Sequence, residues 1–381
     1  MHIALDGRGI DARETGVGRS TRLLAEALDA AMPEGSRLEL LLSREAGIES
    51  LRQARIHRTG IRPTAHPWTE LWEATVLRRR LQRLGVKLFH APAFRAPFLG
   101  RMPTVTTIHD LAAQVMPETI PLQFRIYLRA CVRHAMRRSR LVLCPSDAVR
   151  KDLEARYPNA AARVEVVPWG TPPLPELSAT EAARRRMRLG LPEHYLLAVG
   201  ADDPRKNIGT VFEAMKQLVS RRPEAVPYLV VCGEPANGAV AGAPHVDRKA
   251  DASYIRRVGY LDSWDLSAVY RSADALIYPS LYEGFGLPIL EAMSVSVPVV
   301  TSRRGAMLEV AGEAGVFVDP TSAQELADAT DHLLQNTALR EELAEKGRRR
   351  AGMFRWSDTA RRTWSLYEEA LRRPGRGPDQ P

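Results

Sequence analysis

Residues 279–302 read Pro-Ser-Leu-Tyr-Glu-Gly-Phe-Gly-Leu-Pro-Ile-Leu-Glu-Ala-Met-Ser-Val-Ser-Val-Pro-Val-Val-Thr-Ser, a pattern of loop, helix and strand. The short apolar run at 275–278 suits a buried strand, and so does the run at 297–301. The helix between them therefore closes a βαβ unit. Gly284 and Gly286 permit close approach of backbone to a ligand. Pro288 suits a first helical position, because its missing N–H would have no intrahelical partner there. Such a helix start, at the carboxyl edge of a parallel sheet, attracts phosphate.

Two glutamates, Glu283 and Glu291, bracket the turn. Acids beside an anion site make sense if the ligand also presents hydroxyls, since carboxylates accept from a sugar or ribose diol while N–H groups hold phosphates. Spacing alone equally allows two solvated glutamates flanking a tight loop.

The chain has 381 residues, 45% hydrophobic and 26% charged, enough for two domains with separate cores. The N-terminal sequence lacks the apolar run of a signal peptide, and no stretch approaches the ~20 apolar residues that span a bilayer. The expected location is the cytoplasm. Cys131, Cys144 and Cys232 lack metal-ligand spacing and read as buried thiols of a reducing compartment. The net charge of +9 suits nucleic acid or an anionic membrane surface. Only six of the 54 basic residues are lysine, a skew that genome composition also produces.

Outward from the central stretch, strands and helices alternate. In the first half, strands are expected at 2–5, 38–42, 86–90, 105–108, 141–144 and 164–167, with helices at 18–31, 69–84, 122–138 and 147–155. The loop 7–17 contains Thr15-Gly16-Val17-Gly18-Arg19. It fails the dinucleotide fingerprint, because Thr21 stands where the third glycine belongs. His109 lies at the carboxyl end of a strand, the edge that faces the ligand crevice in such sheets. Arg125, Arg129, Arg133 and Arg137 form one stripe opposite apolar Ile126, Ala130 and Met136, and Arg78, Arg79, Arg80 and Arg83 form a second cluster. These faces suit either water or anionic lipid headgroups.

A proline-rich stretch from Thr171 and a polar helix at 179–188 read as a linker region, 171–190. The second half restarts with a strand at 195–199 followed by Gly200-Ala-Asp-Asp-Pro-Arg205-Lys206-Asn207, a turn whose adjacent cations suit a diphosphate. Strands at 228–231, 255–258 and 316–318, and helices at 264–271, 322–335 and 338–350, complete a second α/β unit. Helix 356–371 is amphipathic, and the tail after Arg373 is expected to be disordered.

Together the motifs resemble glycosyltransferase family 4, of the GT-B architecture: Glu283-Gly-Phe-Gly-Leu-Pro-Ile-Leu-Glu291, Thr15-Gly-Val-Gly-Arg19, Thr107-Ile-His-Asp110, Pro204-Arg-Lys-Asn207 and Pro298-Val-Val-Thr-Ser302. The resemblance implies an α/β fold of two doubly wound Rossmann-like domains facing across a cleft. Residues 1–170 plus 356–381 would form the acceptor-side domain and 191–355 the nucleotide-sugar domain. It implies retaining hexosyl transfer without a bound metal or cofactor, most simply of mannose from GDP-mannose, to a saccharide or lipid-linked saccharide in surface polysaccharide synthesis. Glucosyl or rhamnosyl transfer from UDP or dTDP sugars is an alternative, as is a non-transferring sugar-nucleotide epimerase. By analogy Arg205 and Lys206 bind the diphosphate, helped by backbone at Gly286 and Leu287, while Glu291 holds the ribose. Glu283, Gly284 and Phe285 would contact the hexose, His109 would line the sugar site, and Gly16 would leave room beside the phosphates. The partners expected are the donor, the acceptor and an anionic membrane under helices 71–83 and 122–138, but not nucleic acid. Ala201, Ser296 and Trp169-Gly170 depart from the family pattern.

Overall fold

Strands buried on both faces of a parallel sheet are apolar along their length, and the short apolar runs of this chain form two such sheets. A computed structural model describes residues 1–10, 16–44, 46–48, 51–61, 67–97, 99–200, 203–222, 227–233 and 254–373. Ala201, Thr15 and the tail after Arg373 lie outside the described residues.

The chain divides into two units, one of residues 1–114, 122–170 and 355–381, the other of residues 115–121 and 171–354. The first contains, in chain order, β1 (His2–Gly7), α1 (Gly16–Ala30), β2 (Arg37–Leu42), β3 (Arg55–Arg58) and α2 (Pro67–Trp72). A π-helical turn (Glu73–Leu77) then leads to α3 (Arg78–Arg83), β4 (Leu88–Ala91), β5 (Thr104–Thr107) and α4 (Ala112–Val115). The run ends with α5 (Leu122–Arg138), β6 (Leu141–Cys144), α6 (Asp147–Arg156) and β7 (Val164–Val166). All strands pair in parallel in the order β3-β2-β1-β4-β5-β6-β7. The order reverses between β1 and β4, so the loops leaving their carboxyl ends diverge there and open a crevice. The edge strand β3, Arg-Ile-His-Arg, has only one strongly apolar residue and escaped the periodicity.

The second unit contains α7 (Ala179–Arg188), β8 (Tyr195–Val199), α8 (Ile208–Arg221), β9 (Tyr228–Cys232), β10 (Ile255–Val258), α9 (Ser263–Arg271) and β11 (Ala275–Tyr278). It continues with α10 (Leu287–Ser294), β12 (Val299–Ser302), α11 (Gly305–Ala311), β13 (Gly315–Val318), α12 (Ala323–Gln335) and α13 (Thr337–Gly352). Its parallel order, β10-β9-β8-β11-β12-β13, reverses between β8 and β11. Residues 171–190 are not a linker: the Pro175 carbonyl accepts from Ser267 at 2.7 Å, and Arg185 and Arg188 of α7 converge on Asp265 at 2.9 and 2.6 Å. Their polar composition marks a helix held by ion pairs instead of an apolar face.

The final helix, α14 (Trp356–Arg372), belongs to the first unit. Its apolar stripe packs on α1, Leu28 included, and on Ile3 and Leu5 of the sheet, and the Trp364 indole donates to the Leu28 carbonyl at 3.0 Å. His90, fully buried on β4, bonds the Tyr367 hydroxyl at 2.6 Å and Thr107 Oγ1 at 2.8 Å. Burial pushes the His90 pKa down to about 3.

The arginine helices differ from expectation. Along α5, Val132, Ala135 and Met136 are buried, but Ile126 and Ala130 are exposed, together with Leu122 and Phe124. A stripe at spacing four drifts around the helix, so the exposed face mixes arginine with large apolar side chains. Of the second cluster, Arg78 lies against Gly100 and Arg80 donates to His57 Nδ1 at 3.2 Å. Cys144 and Cys232 are buried as expected; Cys131 is half-buried.

Candidate functional site

Where the order of a parallel sheet reverses, the two loops on either side are the ones a ligand meets. In the second unit these follow β8 and β11, and they carry Lys206 and Glu283. The β8 loop opens at Gly200, whose φ of +99° is accessible chiefly to glycine. A Cβ there would stand 2.8 Å from Lys206 Cγ and 2.9 Å from its Cε. The lysine stem thus lies directly on the glycine backbone.

The turn Pro204–Lys206 follows, capped by the Asp203 carboxylate, which accepts from the Arg205 amide at 3.0 Å. Asn207 then takes a left-handed φ of 59°. Its amide donates to the carbonyls of Pro279 and Pro320 at 3.1 and 2.6 Å, and its side-chain oxygen accepts from Thr210 at 2.8 Å. The Leu281 amide donates to the Arg205 carbonyl at 2.8 Å. These bonds tie the cationic turn to its neighbours, the β11 loop among them.

The chemistry converges at Lys206. Its Nζ donates to Glu283 Oε1 at 2.6 Å and to the Tyr278 hydroxyl at 2.5 Å, and that hydroxyl donates to the same Glu283 oxygen at 2.9 Å. Burial acts to lower the lysine pKa, but the Glu283 carboxylate and Tyr278 outweigh it and hold Lys206 above its ordinary range. Burial and the neighbouring carboxylate push the Tyr278 phenol up. The site therefore carries a lysine ammonium and a neutral phenol at physiological pH. Arg205 pairs with Asp203, its guanidinium donating to Oδ2 at 2.7 Å. Burial would raise the Asp203 pKa, but Arg205 lowers it.

Helix α10 begins one residue before the proline, at Leu287, after Gly286 with a φ of +107°. Glu291 sits on its buried face, 3% exposed, and accepts from the fully buried Tyr270 hydroxyl at 2.6 Å. Glu283 is also largely covered, its side chain 13% exposed. Neither glutamate is solvated, so that alternative falls. Phe285 is buried edge-on against Phe354, with ring centroids 5.8 Å apart. The helix closes through Ser296 at a φ of +63°, a left-handed conformation that glycine adopts more readily than serine.

In the first unit, His109 follows β5 and is 5% exposed. Its Nε2 faces the Pro92 carbonyl at 2.5 Å and must carry the proton, which leaves Nδ1 as an acceptor with no hydrogen-bond partner among the described residues. Burial lowers its pKa to about 4, so the ring is neutral. Phe94 and Trp169 flank it, at centroid distances of 5.2 and 5.0 Å. Trp169 is a departure from the family pattern, and Gly170 beside it has no room for a side chain: a Cβ would overlap the Trp356 amide nitrogen. Gly16 is the first residue of α1, and a Cβ there would meet only open space among the described residues. At the carboxyl end of β1, fully buried Arg8 bonds Asp6 and Glu73 at 2.7 Å each, and Arg95 joins it on Glu73.

The sequence profile described as Glycosyl transferases group 1 matches residues 180–350, and that described as Glycosyltransferase Family 4 matches residues 15–173. The O-antigen chain mannosyltransferase B of Escherichia coli is 30% identical over 292 residues, 74% of this chain and 74% of that protein. The chain belongs to glycosyltransferase family 4. A D-inositol 3-phosphate glycosyltransferase of Corynebacterium urealyticum is 29% identical over 262 residues, 66% of this chain and 61% of its relative. The fold of the glycosyltransferase is GT-B. It matches sucrose-phosphate synthase from Thermosynechococcus elongatus with a TM-score of 0.73 at 23% identity, covering 97% of this chain and 98% of that one. Anabaena HepE in complex with UDP-glucose matches with a TM-score of 0.69 at 18% identity, covering 96% of this chain and all of that one, 100%.

Of the residues singled out from sequence, the structure joins Lys206 to Glu283 and places Gly286, Leu287 and Glu291 on the adjoining helix start. Sequence reasoning missed Tyr278, Tyr270 and Asp203. Tyr278 was findable, because it is the last residue of a strand beside the switch point. Nothing in the spacing of Tyr270 links it to Glu291.

Proposed function

We propose that this glycosyltransferase transfers a hexose with retention of configuration, mannose from GDP-mannose, to a saccharide or lipid-linked saccharide acceptor in surface polysaccharide synthesis. The observation that carries the reading is the Lys206–Glu283 pair at the switch point of the second unit, beside the α10 start and Glu291. A diphosphate offers Lys206 more negative charge than one carboxylate does. Lys206, Arg205 and the backbone at Gly286 and Leu287 then stabilise the charge that develops as the glycosidic bond breaks. Glu291 accepts from the ribose diol. Glu283, with the Gly284-Phe285 backbone, contacts the hexose, and its carboxylate supports the positive charge that grows at the anomeric carbon. The neutral His109 offers Nδ1 as a hydrogen-bond acceptor in the first unit. The departing phosphate takes the acceptor's proton, and no further base is required.

The similarity to the E. coli mannosyltransferase supports mannose; the structural likeness to a protein holding UDP-glucose supports a glucosyl donor as the second reading. A peripheral seat on an anionic membrane is part of the proposal. Among the described residues no helix is long and apolar enough to cross a membrane. Leu122, Phe124 and Ile126 are exposed beside the arginines of α5, and Trp68 and Leu71 on α2, a mixture suited to the lipid interface.

A thermal-shift screen of GDP, UDP and dTDP sugars tests the donor, since ligand binding to the folded state raises its stability. Proton NMR of the product's anomeric signal then reads the configuration. GDP-mannose is expected to give the largest shift and an α-linked product. Stabilisation by none of the sugars, an inverted product, or epimerisation of the donor without acceptor would contradict the proposal.

A further inference from the structure

Each glutamate of the pair is met by the hydroxyl of a buried tyrosine. Tyr270 on α9 donates to Glu291 Oε2 at 2.6 Å, and Tyr278 at the end of β11 donates to Glu283 Oε1 at 2.9 Å. Both rings are essentially fully buried, Tyr270 at 0% and Tyr278 at 1% exposure. A buried phenol holds its hydroxyl in one place, because the ring has only two side-chain torsions and both are fixed by packing.

From this geometry we infer that Tyr270 and Tyr278 are positioning residues that act on two different steps, donor binding and transfer; the inference rests on the reading of Glu283 and Glu291 given above. The Tyr270 hydroxyl engages Oε2 of Glu291 and so fixes the plane of the carboxylate. A ribose diol needs its acceptor oxygen at a fixed angle, so Tyr270 sets the affinity for the nucleotide.

Tyr278 has a different task. In the triangle of Lys206 Nζ, Tyr278 hydroxyl and Glu283 Oε1, the phenol accepts from the ammonium and donates to the carboxylate. When a diphosphate draws Lys206 away, Glu283 loses the cation that held it but keeps the phenol. Tyr278 therefore keeps Glu283 in place during the interval in which the hexose is transferred. The same hydroxyl keeps a partner in both arrangements, so the lysine moves without leaving the buried phenol unsatisfied.

Replacing each tyrosine by phenylalanine removes one hydroxyl and retains the ring. Calorimetric titration with GDP and with UDP, and steady-state turnover of GDP-mannose and UDP-glucose, separate the two roles. Tyr270→Phe is expected to weaken nucleoside diphosphate binding and raise the donor KM about tenfold, with kcat within about twofold of the parent. Tyr278→Phe is expected to lower kcat about tenfold and leave nucleoside diphosphate affinity within about twofold. Parental kinetics in both variants, or parallel losses in KM and kcat that track a fall in Tm, would overturn the inference. Glu283→Gln and Glu291→Gln are measured alongside. If these lose function while the tyrosine variants do not, only the tyrosine inference fails; if they too behave as the parent, the glutamate site itself fails.

Discussion

Removing the lysine ammonium alone should destabilise the second unit, and removing its carboxylate partner as well should restore most of the loss. In Lys206→Met the Glu283 carboxylate, 13% exposed, loses its cation and keeps the Tyr278 hydroxyl at 2.9 Å. Breaking a buried ion pair by removing one partner costs ~3–5 kcal/mol, because the remaining charge is desolvated without compensation. Residual water contact favours the lower end, ~3 kcal/mol. For a domain of this size class each kcal/mol lowers Tm by roughly 2–4 °C, so the expected fall is roughly 6–12 °C. In Lys206→Met/Glu283→Gln no charge is left stranded, and the neutral amide still accepts from Tyr278. The double variant should therefore regain more than half of the lost Tm while remaining inactive. Differential scanning calorimetry of the parent, both single variants and the double variant closes the cycle. A Lys206→Met protein with parental Tm, or a double variant whose loss equals the sum of the singles, would refute the coupling.

Three further outcomes follow from the geometry. Gly200→Ala places a Cβ within 2.9 Å of the Lys206 stem at a φ of +99°, and should cut donor turnover about tenfold or more by displacing the ammonium, as steady-state kinetics would read. His90 and His109 are held neutral by burial, with pKa values lowered to about 3 and about 4. The unfolded chain therefore binds protons that the folded chain does not, and the stability of the first unit is full above pH 6.5 and falls steadily as pH drops toward 4 and 3; thermal melts across that range check the sign. Leu122→Ser/Phe124→Ser and Arg129→Ser/Arg133→Ser variants should each lose co-sedimentation with anionic liposomes, while neutral liposomes bind neither these variants nor the parent.

The alternation of elements was legible because parallel strands are apolar along their length and their helices are amphipathic: α5, β6 and β11 lie at the boundaries that periodicity placed. β3 was not, since an edge strand with one strongly apolar residue carries no such pattern. The stretch 171–190 misled through composition, because ion pairs to Asp265 hold α7 where an apolar face was sought. In the site, Glu283, Glu291 and Lys206 were readable from glycine-rich turns at strand ends. The contacts that place them were not. Tyr270 reaches Glu291 from a neighbouring helix, and Asn207 ties two loops by side-chain bonds to carbonyls, interactions that depend on tertiary position and leave no periodic trace. The burial of Glu291 was equally hidden, since a glutamate on a helix reads as solvated until its neighbours are known.

In the proposed function, the Lys206 and Glu283 end of the second sheet receives the diphosphate of a nucleotide sugar. Calorimetric titration of GDP and UDP into the parent and into Lys206→Met, below the melting range of both, tests it most directly. Saturable binding of one of the two nucleotides by the parent is expected, weakened about tenfold to a hundredfold in Lys206→Met by loss of charge-assisted hydrogen bonds. Equal affinity in the two proteins, or no binding of either nucleotide by the parent, would contradict it.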